Sequence, residues 1–370
     1  MKGFLMIEKT DIANIYNYGF TPAMMPSDAQ GTPARVTAVH KERYEIVCEY
    51  GACFGKLKTS VYYGSGIVSE GFPTTGDFVL IQYNKSGDSQ IVKTLERKSF
   101  FSRLDPTPGR GEQTVAANFD YVFIMQSLNQ GYKNFNIKRL ERYLTAAWQS
   151  GAVPVIVLTK SDLADDYTEQ LREVQKAAAG AGVFAISAKT GFGLDSLAEY
   201  LKPRKTIVFL GSSGVGKSSL VNALAGEEIM ETNETRDSDS KGRHTTTRRQ
   251  LIMMPGGYML IDTPGMRALG MWDVSDGLGE AFSDVEQYFG KCKFSDCKHQ
   301  SEPGCAVKSA IESGKLPRKR WDSYVNIKHE AKYSDDKTEY LRSQKELHKK
   351  WAKEAKSDRK KSGGKRRYEE

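Results

Sequence analysis

The sequence predicts a multidomain chain with three parts: an N-terminal β-barrel (OB-fold), a central α/β P-loop unit and a mostly helical, zinc-binding C-terminal domain. Three observations carry this. Five short strand-like segments crowd into 34–98, punctuated by glycines. Apolar strands then alternate with helical periods from 121 to 261, and motifs of a single nucleotide site follow several of those strands. Beyond them, three cysteines and one histidine fall between 292 and 305.

Composition narrows the class. A chain of 370 residues is too long for one compact core. Hydrophobic content of 39% and charged content of 27% are those of an ordinary globular protein. The net charge of +8 favours a polyanionic partner, and the C-terminal forty residues supply +6 of it. The apolar run at the N-terminus is too short and too quickly interrupted for a signal segment, and no stretch could span a bilayer. A membrane is therefore not an expected partner. Five cysteines make no disulfide framework, and a cytoplasmic location is expected.

Residues 1–30 are weakly patterned and read as an arm. The barrel, 31–98, draws its strands from 35–39, 44–48, 55–58, 77–83 and 90–94. A generic sandwich or an SH3-like barrel is the competing arrangement. Residues 99–116, with Gly109, Arg110 and Gly111, read as a polar linker. Within 117–275, strands are expected at 121–125, 153–158, 183–186, 206–210, 250–253 and 258–261. Helices are expected at 137–149, 167–178, 194–201 and 217–225. This alternation describes a doubly wound sheet. A zinc-binding domain at 276–335 and a basic tail at 336–370 complete the chain, with a charged helix expected from 328 to 355.

The chemistry starts at Gly211. Gly211, Ser212, Ser213, Gly214, Val215 and Gly216 follow an apolar strand, and a helix opens at Lys217, Ser218 and Ser219. Backbone N–H groups of such a loop wrap phosphate, and the helix N-terminus favours the anion. Lys217 would reach the β- and γ-phosphates and the Ser218 hydroxyl would bind Mg²⁺.

Base choice must come from elsewhere, and Thr159, Lys160, Ser161 and Asp162 follow another strand. A carboxylate at Asp162 can accept from the N1–H and amino group of guanine, a donor pair that adenine lacks. The Lys160 stem would cover one face of the base. Ser187, Ala188 and Lys189 follow the next strand and can offer an N–H to the guanine O6. Asp262, Thr263, Pro264 and Gly265 have the form of the acid that holds Mg²⁺, with a glycine N–H for the γ-phosphate. Thr247, or its neighbour Thr246, would complete the metal shell. In a GTPase the phosphate loop ordinarily precedes the guanine tetrapeptide. Here it follows, so the unit is expected to be a circularly permuted GTPase domain.

Met266 occupies the place where many GTPases orient water with Gln. His244, in the polar loop before Thr247, is the expected catalytic group, its alternative being a solvated loop histidine. Partner-stimulated turnover is expected. Cys292, Cys297, His299 and Cys305 offer three thiolates and an imidazole, a closed tetrahedral zinc shell with a structural role. Cys48 and Cys53 lie in the barrel region and read as inert thiols.

Together these motifs resemble the ribosome small subunit-dependent GTPase A family (RsgA, also called YjeQ), with Gln113 through Asp120 also family-like. The resemblance covers most of the chain. It implies a GTPase that acts late in small (30S) ribosomal subunit maturation. It further implies binding of rRNA near the decoding region and stimulation by the subunit, with GTP, GDP and other assembly factors as partners and a monomeric chain. The contrasting reading is an RNA-binding placeholder with little turnover. The basic tail would contact rRNA phosphates or merely aid solubility.

Overall fold

The computed structural model describes residues 14–27, 29–40, 43–59, 72–104, 112–129, 135–212, 214–230, 249–262, 275–300 and 302–335. Strands β1 (Thr32–Val39), β2 (Tyr44–Cys48), β3 (Gly51–Leu57), β4 (Phe78–Gln82) and β5 (Ser89–Thr94) form the N-terminal barrel. The ring runs β1-β2-β3-β5-β4 and closes through β4 onto β1. β3 meets β5 in parallel, and the other barrel pairings are antiparallel. Closure leaves no bare edge, which separates this barrel from an open sandwich. Val36, Ile46, Cys48, Val79, Ile81 and Ile91 fill its interior. Outside, Ile15 and Phe20 of the arm pack against Phe78, Leu80 and Leu95.

Segment 99–116 is not the irregular polar linker that its composition suggests. β6 (Phe100–Leu104) and β7 (Glu112–Ala117) pair as an antiparallel hairpin. Phe101, Val115, Ala116 and Ala117 are buried, and Phe101 stacks on Phe119 at 4.8 Å. The Ser99 hydroxyl donates to the Phe119 carbonyl and accepts from its N–H, so the hairpin base is hydrogen-bonded into the next domain. The glycines and prolines between the two strands masked this short alternation.

The central sheet contains β8 (Tyr121–Ser127), β9 (Val153–Thr159), β10 (Gly182–Ala185), β11 (Thr206–Gly211), β12 (Gln250–Met253) and β13 (Met259–Asp262), ordered β10-β9-β8-β11-β13-β12. All neighbours are parallel except β12, which runs antiparallel to β13. Successive residues of β8 enter opposite cores. Val122 and Ile124 meet Leu140 and Leu144 of α1 (Ile137–Gln149) and Val174 of α2 (Thr168–Ala177). Phe123 and Met125 meet Leu220 and Val221 of α3 (Lys217–Ala225). Both faces are covered, which is why these strands read as continuous apolar runs. The helix expected at 194–201 is only a 3₁₀ turn, Leu194–Leu197. Past Leu197 the chain continues as turns, with Leu194, Tyr200 and Leu201 also packed against the sheet.

The barrel joins the sheet edge where β1 meets β12, Ala38 facing Gln250. Beside that seam Arg35 is wholly buried. Its guanidinium donates to the carbonyls of Tyr18, Gly76 and Asn118 and lies 4.8 Å from the Phe78 ring centroid. Burial pulls its pKa down to about 10, against the opposing pull of Asp120 and Asp77. Arm, barrel and central domain thus share one donor. Arg35→Met would leave the Tyr18 and Asn118 carbonyls without it, and should lower stability by about 2–4 kcal/mol. Denaturant titration checks this; a midpoint like that of the parent would exclude Arg35 as the clamp.

Helices α4 (Ser275–Ala281), α5 (Ser283–Glu286), α6 (Ala306–Glu312) and α7 (Arg318–Asp335) build the C-terminal part. α4 crosses α1 closely: a Cβ at Gly277 would stand 2.3 Å from the Thr145 carbonyl oxygen, so this crossing requires glycine. The charged helix expected at 328–355 begins ten residues earlier, at Arg318, because Trp321, Tyr324 and Ile327 give its first turns an apolar face. Residues 336–355 of that expectation lie outside the described residues.

Candidate functional site

The nucleotide motifs converge at the carboxyl ends of β8, β9, β10 and β11. The chain runs outward from β8 to β9 and β10, then returns to place β11 on the other side of β8. Ligands of open parallel sheets bind at such a reversal, outside the strand ends. Register sets the heights: Ser127 faces Thr159, and Gly211 faces Met125.

Among the described residues, the Thr159 side chain reaches across the two halves of the site. The buried Thr159 hydroxyl lies 2.5 Å from the Val215 carbonyl of the phosphate loop and 3.2 Å from the Gln126 carbonyl. A hydroxyl has one proton to donate, and the shorter contact is the one across the loops. The Gly216 backbone has φ +98°, a conformation that favours glycine. A Cβ built there would lie 3.7 Å from Thr159 Oγ1 and 3.9 Å from Lys160 Cε, so the lysine stem runs beside the phosphate loop. Lys160 itself is left-handed, with φ 58°. Gly216 also opens α3, which places Lys217, Ser218 and Ser219 in its first turn.

The segment holding Asp162 is braced in the same way. Ser187 donates its hydroxyl to Asp162 Oδ1 at 2.6 Å, and its own oxygen accepts from Thr190 N–H at 3.2 Å. The Ser161 N–H reaches the Ile186 carbonyl at 3.1 Å. The carboxyl group is thereby oriented, with Oδ1 held by the Ser187 hydroxyl. Asp162 contacts Ser187, and Thr159 contacts Val215, so the structure brings these candidate site residues together in two pairs. Ser213, His244, Thr247 and Gly265 lie outside the described residues, and Asp262 is placed there only as the last residue of β13.

Three supporting residues escape a motif reading. The Gln126 side chain accepts from Asn136 N–H at 2.9 Å and donates to its carbonyl at 3.1 Å. Asn136 caps α1 by accepting from Arg139 N–H at 3.0 Å. Arg139 Nη1 in turn donates to the Ser212 hydroxyl of the phosphate loop. Asn136 was legible as a helix cap, since Asn precedes an amphipathic period. Gln126 and Arg139 carry no sequence signal, as one ends an apolar strand and the other looks like a solvated helix charge.

At the C-terminal centre, His299 Nδ1 lies 3.5 Å from Cys292 Sγ, 3.6 Å from Cys297 Sγ and 3.4 Å from Cys305 Sγ, and the Cys292 and Cys305 sulfurs are 4.0 Å apart. Zinc bonds of about 2.3 Å to sulfur and about 2.1 Å to nitrogen give tetrahedron edges of about 3.6–3.8 Å. The three nitrogen–sulfur distances lie near those edges and all four ligand atoms fall within 4.8 Å of one another, so this Cys₃His set could bind zinc. The imidazole is held by stacking on Phe289 at 4.9 Å, and Ala306 N–H donates to Cys292 Sγ. The centre is seated on the central domain through Arg320, which donates to Glu141 of α1 at 2.7 Å, to both Asp284 oxygens and to the Ala281 carbonyl.

Comparison with known proteins follows the same outline. The family model described as RsgA GTPase matches residues 94–272. A protein of Listeria innocua serovar 6a, named small ribosomal subunit biogenesis GTPase RsgA 1, is 43% identical over 318 residues, covering 85% of this chain and 89% of that protein. The crystal structure of YjeQ from Thermotoga maritima superposes with a TM-score of 0.58 at 28% identity, covering 81% of this chain and 98% of that one. YloQ, whose structure is described as a circularly permuted GTPase, shares the fold with a TM-score of 0.56 at 24% identity, covering 83% and 98%. These relatives span most of this chain, which belongs to the RsgA GTPase family.

Proposed function

We propose that the chain hydrolyses GTP during late maturation of the small ribosomal subunit, binding its rRNA near the decoding region, with the subunit stimulating turnover and hydrolysis coupled to release. The observation that carries the nucleotide reading is the Thr159 contact to Val215, which brings the guanine loop against the phosphate loop despite their reversed order in sequence. The ribosomal reading is supported by the relatives' names and by the +8 charge.

In this scheme Asp162 accepts from the guanine N1–H and amino group. Thr159, Lys160 and Ser161 shape the loop around it, and Ser187, Ala188 and Lys189 face the O6 side. The amides of Gly211, Ser212, Ser213, Gly214, Val215 and Gly216, with Lys217, Ser218 and Ser219, wrap the phosphates. Ser218, Thr247 and Asp262 hold Mg²⁺, which screens charge on the phosphates. Gly265 would offer its N–H to the γ-phosphate, and His244 would orient the attacking water. Zinc at Cys292, Cys297, His299 and Cys305 is structural, since four protein ligands leave no open position. The barrel and the basic tail supply rRNA contacts, and their binding weakens with salt. The chain works as a cytoplasmic monomer, alongside other assembly factors.

The test is GTP turnover measured with purified small subunits, with large subunits and with neither. Stimulation by small subunits alone is expected, and His244→Ala should remove most of it. Equal rates in all three conditions would defeat the ribosomal reading, while full stimulation of H244A would defeat the role of His244.

A further inference from the structure

Helix α1 delivers to the phosphate loop a cation that none of the nucleotide motifs contains. Arg139 stands in the first turn of α1, half-buried, with its guanidinium on the Ser212 hydroxyl. Among the described residues it has no carboxylate partner, so its charge is not neutralised by the protein there. Its placement is fixed from several directions. Asn136 caps its N–H, and Gln126 grips Asn136 through both backbone groups. Farther along α1, Glu141 pairs with Arg320, Arg142 pairs with Glu330, and Gln149 accepts from Gly277 N–H. The helix that carries Arg139 is thus bolted to the C-terminal module along its length.

We propose that Arg139 is a positioning residue for the phosphates of the bound nucleotide. It holds the phosphate loop through Ser212 and adds a fixed positive charge behind it. The proposal rests on the reading of this pocket as a GTP site. A guanidinium is always charged and weakly hydrated, so it keeps its charge in a half-buried position where a lysine would hydrate more strongly. Held in place by the helix, it lowers the cost of gathering phosphate charge without moving when the nucleotide binds. Because α1 also carries the Glu141–Arg320 contact, the C-terminal module and the phosphate loop lean on one rigid element.

The test uses the full-length chain with Mg²⁺ and fluorescent mant-GDP and mant-GTPγS, without ribosomal subunits. Arg139→Gln keeps a donor for Ser212 but removes the charge, and should weaken both nucleotides about tenfold. Arg139→Lys should recover most of that affinity, and the gap between the parent and R139Q should narrow as salt rises. In turnover, R139Q should raise KM for GTP more than it lowers kcat. R139Q binding both nucleotides within twofold of the parent would overturn the proposal. So would a loss that R139K does not relieve, which would leave only a shape requirement. These readouts separate it from the ribosomal reading: nucleotide affinity can fall in R139Q whether or not subunits stimulate the parent.

Discussion

Asp162→Asn should turn a guanine site into a xanthine site. In the proposed site the carboxylate accepts from two guanine donors, whereas an amide can accept only through its oxygen. The geometry says where that oxygen would go. Ser187 already donates to Asp162 Oδ1 at 2.6 Å, so in the variant the hydroxyl keeps the amide oxygen and turns the NH₂ toward the base. That NH₂ would confront the guanine amino group, donor against donor. A site that leaves buried polar groups unpaired rejects its ligand by about 10⁴-fold, and GTP affinity should fall on that order. Xanthosine triphosphate carries a carbonyl where guanine has its amino group, and the variant should bind it better than the parent does. Fluorescence titration with both nucleotides checks the exchange. If D162N loses GTP without gaining XTP, Asp162 shapes the loop and does not read the base.

Loss of the metal centre should have the next largest effect. Cys305 is 3% exposed and begins α6, whose Val307 and Ala310 join the core shared with α1 and α7. The ligand segment, 292–305, buries little else, so metal binding would supply its folding free energy, roughly 10 kcal/mol for structural zinc sites. Cys305→Ala, or extraction with a strong chelator, should therefore unfold the segment. The effect should spread further, because Arg320 can no longer be held against Glu141 once α7 is released. A buried Glu141 without that partner is costly. The expected readings are zinc content falling from about one per chain to near zero and a second, lower melting transition. A chelated chain that melts like the parent would show that zinc is dispensable to the fold.

Much of this architecture was legible because the relevant signals are local. The strand–glycine loop–helix pattern at 206–225, the guanine tetrapeptide after 153–158 and the cysteine spacing at 292–305 each depend on neighbours in sequence. The strands of the sheet were legible for the same reason, since burial on both faces writes an unbroken apolar run. The misses share a cause too. The β6–β7 hairpin is stabilised by Phe119 and Ser99, one beyond each of its ends, and glycine and proline between the strands overrode a short alternation. The supposed helix at 194–201 had the right period and its apolar residues do pack on the sheet, but through a 3₁₀ turn and the turns that follow it. α7 was placed too late because charge drew attention to its far end, while its aromatic face packs on α4 and α5.

Residue types and their order in the chain by themselves pointed to a phosphate loop, a guanine-reading carboxylate and a zinc-like quartet, with the first two in permuted order. Spatial assembly alone decided that Thr159 bridges to Val215, that Ser187 orients Asp162, that Arg139 rests on Ser212 and that Arg35 clamps three parts of the chain together. The division is physical. A motif is a short-range demand of backbone conformation and donor chemistry, which neighbouring residues satisfy. A contact between residues 56 or 73 positions apart depends on sheet order and helix packing, and those follow from the burial of the whole chain at once.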